Sequence, residues 1–283
     1  MKLRLSKIFK IIVYIFAFVG FVFTCVFIGM YFGLFNVPGS NAVRNISLGI
    51  PVAPVVQDCT DTTEKTCDWN KTVEWSVLTA AFTKDVPVIN KVAQQVGISS
   101  SMLVATVAPE QIRFFTSNRE SFKKYFEPLK ILVSLSKFSL GVAGIKQDTA
   151  NQIEAYTLDQ TSPFYPGPDA TALISYPVGA DHDTTLFNRL TDTHDHYYSY
   201  LYAALFIKEI ENQWASAGFD ISQNPEVVTT LFNVGFVNST PNQNPVVGGS
   251  SITLGGQTYV YGQLGALVYN SSDIARIFPA LPR

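Results

Sequence analysis

The chain has 283 residues and a formal net charge of −2, with 47% hydrophobic and only 15% charged residues. One domain plus one additional segment accounts for that length, and the charged fraction falls well below the usual quarter. The near-neutral balance excludes the basic footprint of a nucleic-acid-binding protein, and nothing in the composition implies a cofactor.

The first ten residues carry Lys2, Arg4, Lys7 and Lys10, and the chain is then uncharged and rich in Phe, Ile and Val from Ile11 to Phe35. As a helix this segment is ~37 Å long, enough to cross the hydrocarbon core of a bilayer with some tilt. The basic flank predicts a single transmembrane signal-anchor at 11–35, with the N-terminus in the cytoplasm and the rest of the chain outside it. A cleaved signal peptide is the competing reading, but its apolar core is normally roughly 7–15 residues and is followed by a small-residue cleavage site. Residues 36–71 read as an extracytoplasmic stalk of Pro, Gly, Ser, Asn and Thr. Within it, Cys59 and Cys67 flank a polar loop, and in an oxidising compartment such a pair is expected to form a disulfide. A metal site there would need two further ligands. Cys25, inside the apolar span, reads as inert packing.

From residue 72 to 283 the pattern is mainly helical. Apolar spacing predicts helices over Val73–Phe82 and Val88–Val96, the second with Pro87 in its first turn and Gly97 at its end. Ser99, Ser100 and Ser101 offer N-cap oxygens to a helix from Met102 to Phe115, which Pro109 should kink or divide. Another amphipathic stretch runs from Ser121 to Leu135. A Gly141–Gly144 turn leads to a short helix through Ile153, capped by Asp148 or Thr149. Residues 159–181 read as loop, Thr193–Ala217 as the longest helix, and Pro225 to about Gly235 as the next. Residues 237–250 are loop by composition, 252–261 alternate around Gly255–Gly256 as a β-hairpin, and a last helix covers about Gln263 to Phe278.

Three short stretches carry chemistry. Glu110 ends the run Met102-Leu-Val-Ala-Thr-Val-Ala-Pro-Glu110, among Val104, Ala105, Val107, Ala108, Ile112, Phe114 and Phe115. A general acid must stay protonated at neutral pH, and desolvation by apolar neighbours favours that; taken alone, the residue reads first as a surface glutamate, since most glutamates are solvated. Ser139-Leu-Gly-Val-Ala-Gly144 allows a ligand close to backbone amides, or is an ordinary Gly turn feeding a helix. Phe232-Asn233-Val-Gly235 supplies an aromatic face and a side chain that both donates and accepts, or is a helix end with a capping glycine.

In this order the three resemble the lytic transglycosylase branch of the lysozyme-like superfamily. The family's Ser-x-Gly-x-x-Gln-Ile-x-x-x-Thr-Ala signature is matched at Ser139, Gly141, Ile145, Thr149 and Ala150, and its Tyr-Asn-x-Gly at Phe232, Asn233 and Gly235. The resemblance covers residues 102–235. It implies a mainly α lysozyme-like domain with a small β-hairpin, anchored in the inner membrane, that cleaves the β-1,4 bond between N-acetylmuramic acid and N-acetylglucosamine in peptidoglycan. Glu110 would be the single acid and base, and Ser139, Gly141, Gly144, Phe232, Asn233 and Gly235 would line the sugar groove; apart from the resemblance, Tyr259 and Tyr261 on the hairpin are candidates for the groove rim. The sequence departs from the family at Gln111, where Ser is usual, at Gly144, where Gln is usual, and in having Phe232 rather than Tyr.

A hydrolytic lysozyme needs a second carboxylate; Glu120, Glu127 and Asp148 are positional candidates without a local signature, so the anhydro-sugar-forming route is preferred. Asp181-His-Asp183 and Asp192-Thr-His194-Asp-His196 invite a metal reading, but alternate residues diverge on a helix, and no metal site is assigned. Tyr197, Tyr198, Tyr200 and Tyr202 read as core rather than as a sugar wall. Two other classes stay open: a catalytically inactive peptidoglycan-binding scaffold, and an envelope-complex subunit that would present an exposed tyrosine stripe to a protein partner.

Overall fold

Trp75, Leu78, Phe82, Asp85, Ile89, Val92 and Val96 alternate three- and four-residue steps and are all buried, which makes one continuous helix, α1 (Val73–Val96). Pro87 lies inside it, so the two helices expected here are one. The proline ring is on the exposed side, where its missing N–H and bulk are tolerated, while the buried stripe continues past it. Thr72 caps the start by accepting from the Trp75 amide, and Gly97, at φ +75°, ends the helix in the left-handed conformation. In this computed structural model the described residues are 10, 13–25, 68–115, 139–235 and 239–279.

Ser99 Oγ accepts from the Met102 amide at 3.2 Å and starts α2 (Ser100–Phe115). Pro109 does not divide this helix, which is buried from Met102 to Ile112. Two short strands, β1 (Ser139–Leu140) and β2 (Ile145–Lys146), pair antiparallel around the Gly141–Gly144 turn. α3 (Gln147–Leu158) follows directly; neither Asp148 nor Thr149 caps it, because the N-cap position is Lys146 and both lie inside the first turn. The expected loop at 159–181 contains α4 (Pro168–Leu173), and α5 (His182–Thr191) was not expected. Asp181 caps α5 through the Thr184 amide, and Leu186, Phe187 and Leu190 bury its inner face.

α6 (Tyr197–Ser216) starts later than Thr193, because Asp192 Oδ1 accepts from the amides of His194 and Asp195 and holds a turn instead. It is buried throughout Ser199–Ile207 and, with α2, forms the centre of the molecule. α1 packs on both, and α3 packs on α6. α7 (Pro225–Val234) begins at proline and ends at Gly235 as expected. β3 (Ser251–Leu254) and β4 (Gln257–Val260) form the hairpin around Gly255–Gly256. The last expected helix is two, α8 (Tyr261–Tyr269) and α9 (Ser272–Ile277), because Ser271 Oγ caps a new helix at the Ile274 amide. α8 covers α7 and α2. The described chain is therefore mainly α with two small hairpins.

Residues 13–25 include a helix whose side chains are exposed, and among the described residues no helix is long and apolar enough to cross a membrane. The remainder of the expected 11–35 span, the stalk up to residue 67 with Cys59 and Cys67, and the stretch Ser121–Leu135 lie outside the described residues.

Polar groups tie the core. Asp85 Oδ2, on the buried face of α1, takes His196 Nδ1 at 2.6 Å and the Tyr200 hydroxyl at 3.1 Å. The Asp85→Ala change leaves both donors buried without a partner, so we expect about 3 kcal/mol lost and a melting temperature roughly 10 °C lower in a thermal scan. Glu154 gathers the hydroxyls of Tyr176 and Tyr202 and the Nε2 of His182, fastening α5 and the loop before it to α3 and α6.

Burial raises the affinity of two α6 acids for their protons. Glu209, fully buried with one oxygen accepting from Thr157 at 3.2 Å, is pushed well above the usual carboxylate range by burial. Burial also pushes Glu211 up to about 7 from 4.5. In the unfolded chain each ionises at its ordinary value, so the stability they allow is complete below about pH 4.5 and declines as pH rises through the folded value. For Glu211 that window ends near pH 7. Glu211→Gln should therefore leave urea stability unchanged at pH 4 and raise it at pH 8, by on the order of 3 kcal/mol.

Candidate functional site

Glu110 lies on the last turns of α2, 4% exposed, at the base of a cleft with a volume of about 320 Å³. The cleft is lined from four directions. α2 gives Glu110 and Arg113; the β2–α3 junction gives Gly144, Ile145, Lys146, Thr149 and Gln152; the end of α7 gives Phe232, Asn233, Val234 and Gly235; Phe206, Ser250 and Tyr261 complete it. The acid, part of the Gly turn and the aromatic-Asn element, far apart in sequence, thus meet around one space.

Arg113 Nη2 lies 2.5 Å from Glu110 Oε1, an i,i+3 pair on one helix face. Gly144 sits directly over the same side chain at φ +67°. A Cβ at this position would be 2.9 Å from Glu110 Oε1 and 3.0 Å from Cδ, so only glycine gives both the backbone shape and the space. Gly144 thus brings backbone into close approach with the Glu110 carboxyl.

Phe232 stands at the cleft with its ring centroid 4.8 Å from that of Phe206, and both rings are largely buried. Asn233 Oδ1 accepts from Ser250 N at 2.8 Å and from Ser250 Oγ at 3.1 Å. That occupies both lone-pair directions of the oxygen and leaves the amide group as a donor. Gly235 closes α7, its N–H bonded to Leu231 O at 2.9 Å.

Several expectations change. Tyr261 is not a rim residue of the hairpin: it opens α8, is fully buried, and donates to Thr106 O at 3.1 Å beneath Glu110. Burial first, and the nearby Glu110 carboxyl second, push its hydroxyl well above the usual range, so it remains a donor. Gly141 is not among the cleft-lining residues; a Cβ there would meet Leu190 O and lie 2.7 Å from Ser199 Oγ, so its glycine lets the turn dock on α5 and α6. Ser139 pairs through its backbone with Lys146, and its side chain lies outside the described residues. Gln111 is buried and does not line the cleft. Asp148 is exposed and outside the lining, and Glu120 and Glu127 lie outside the described residues. Among the described lining residues Glu110 is the sole carboxylate.

Sequence reading did not single out Arg113, Lys146, Gln152, Phe206 or Ser250. Arg113 and Gln152 carried a usable signal, lying one helical turn after Glu110 and Thr149 respectively. The histidines separate: His182 turns to Glu154, His196 to Asp85 in the core, and His194 is exposed. On α6, Tyr200 and Tyr202 are buried, and Tyr197 and Tyr198 are half-buried, so this helix presents no exposed tyrosine stripe. Comparisons with protein-family models, with curated proteins and with solved structures gave no match to this chain.

Proposed function

We propose that this chain is a lysozyme-like, peptidoglycan-cleaving enzyme of the lytic transglycosylase type, held at the inner membrane by residues 11–35 with its helical domain on the extracytoplasmic side. The observation that carries the reading is the assembly around Glu110: a buried carboxyl opening into a cleft, glycine backbone laid over it, and an aromatic-Asn pair beside it. The substrate is the bond between N-acetylmuramic acid and N-acetylglucosamine. Glu110 gives its proton to the departing glycosidic oxygen. The resulting carboxylate then takes the proton of the muramyl C6 hydroxyl as that oxygen bonds to C1, closing an anhydro ring and restoring the acid. Asn233, left with donors only, suits an acetamido carbonyl, and Phe232 suits the apolar face of a sugar. A lining with one carboxylate among the described residues supports the route that uses one acid.

A second reading, a wall-binding scaffold without turnover, is favoured by one observation. Arg113 occupies Glu110 Oε1 at 2.5 Å, and a carboxyl must part from that guanidinium to protonate a substrate. The test is digestion of purified peptidoglycan by the full chain in mild detergent, with products identified by mass. Anhydro-muropeptides support the lytic enzyme, and reducing-end products replace it by a hydrolase. Intact wall that nevertheless sediments with the protein replaces it by the scaffold.

A further inference from the structure

A second and larger depression, about 610 Å³, lies on the opposite face of α8 from the catalytic cleft. Tyr261 points to the cleft, whereas Gln263, Ala266, Leu267 and Asn270 line this depression, and on a helix these four fall on the side away from residue 261. Its other walls come from Trp69 and Asn70 at the domain's entry, Glu226 on the first turn of α7, Tyr259 on β4, and Ser271 and Ser272 at the start of α9.

The lining has a definite chemistry. Two half-buried aromatic rings, Trp69 and Tyr259, supply apolar contact area. Three carboxamides, Asn70, Gln263 and Asn270, each both donate and accept, with the Asn270 amide already turned to Ala266 O. Glu226 is the one charged lining residue, so nothing here recognises an anion. The aromatic floor is fixed: Trp69 stacks edge-on against Trp75 with centroids 4.7 Å apart, and Trp75 Nε1 donates to Asp273 at 2.9 Å, itself held by Arg276 at 2.8 Å. A rigid ring needs little ordering when a ligand arrives. Apolar rings rimmed by groups that both give and take hydrogen bonds match a neutral N-acetylated sugar, which has apolar ring faces and hydroxyl and acetamido edges.

We propose that this depression is a second, non-catalytic saccharide site that holds an N-acetylated glycan while the cleft works on another segment. The identity of the glycan as wall polymer rests on the function proposed above; the site itself does not need Glu110.

The experiment is co-sedimentation of the full chain, in mild detergent, with purified insoluble peptidoglycan. Trp69→Ala and, separately, the exposed Gln263→Ala are compared with wild type, and each variant's release of products from short soluble glycan fragments is followed in parallel. We expect Trp69→Ala to sediment roughly tenfold more weakly and Gln263→Ala several-fold more weakly, with added chitotetraose releasing wild type and turnover of short fragments unchanged. If wild type cleaves nothing but the Trp69 and Gln263 losses persist, the catalytic reading fails and this site stands. Wild-type sedimentation by both variants, or retention released by salt but not by chitotetraose, overturns the site. Should Trp69→Ala unfold, the surface substitution Gln263→Ala decides alone.

Discussion

Glu110→Gln is expected to reduce anhydro-muropeptide release by roughly a thousandfold, within the range that a positioned general acid contributes. Glutamine keeps the shape of the side chain and its hydrogen-bonding reach to Arg113, but has no proton to give and cannot take one back. The folded state should tolerate it. Glu110 is largely buried and pairs with Arg113 on the adjacent helical turn, a hydrogen bond that the glutamine side-chain oxygen can still accept, so the melting temperature should stay within a few degrees of wild type. Mass-resolved digestion and a thermal scan on the same preparation check both halves. Unchanged release by a folded Glu110→Gln protein removes the assigned acid. Loss of release together with unfolding would show that the carboxylate is a structural group.

The second large effect belongs to Gly144. An alanine there must hold φ near +67° and place a methyl carbon against the Glu110 carboxyl. The left-handed backbone costs about 1–2 kcal/mol. The methyl also pushes the carboxyl off its position, and a displacement near 1 Å costs on the order of a hundredfold in rate. Gly179 is the natural control, because it also has positive φ, at +79°, but nothing lies within 4 Å of where its Cβ would be. Gly179→Ala should therefore show a comparable loss of stability with full activity. Gly144→Ala should lose both. Equal activities for the two variants, measured on the same wall preparation, would dissociate Gly144 from the acid.

Which parts of this were legible in sequence follows from the kind of information each required. Helix α7 was readable from end to end, since Pro225 and Gly235 are local signals of a start and a stop. The β3–β4 hairpin was equally readable from its Gly pair. Helix α1 was misread as two because a proline and an aspartate interrupt its apolar run. Asp85 belongs to the buried stripe only because His196 and Tyr200 meet it from a distant helix. Helix α5 was hidden by its polar start, Asp181-His-Asp-Thr-Thr, whose first residue is a cap. In the candidate site, Glu110 and Asn233 were found from their local motifs. Gly144 reads in sequence as part of a turn that lets a ligand near backbone, but its contact with the Glu110 side chain is a tertiary fact. Tyr261 was placed on a rim because alternation continued through it, whereas the chain turns there into a helix that buries it.

The hydrogen bond from Tyr261 to Thr106 spans 155 positions, and that from Trp75 to Asp273 spans 198. Such links set a timetable. A chain made from its N-terminus produces Glu110 early, but the wall beneath it arrives only with residue 261, and the brace under the second depression only with residue 273. A growing chain therefore has the acid without the cleft, and long-range closure of this kind is slow compared with local helix formation. The proposed wall-cutting activity, depending on this closure, would stay silent during synthesis, and an abortive product that stops short of α8 would never acquire it.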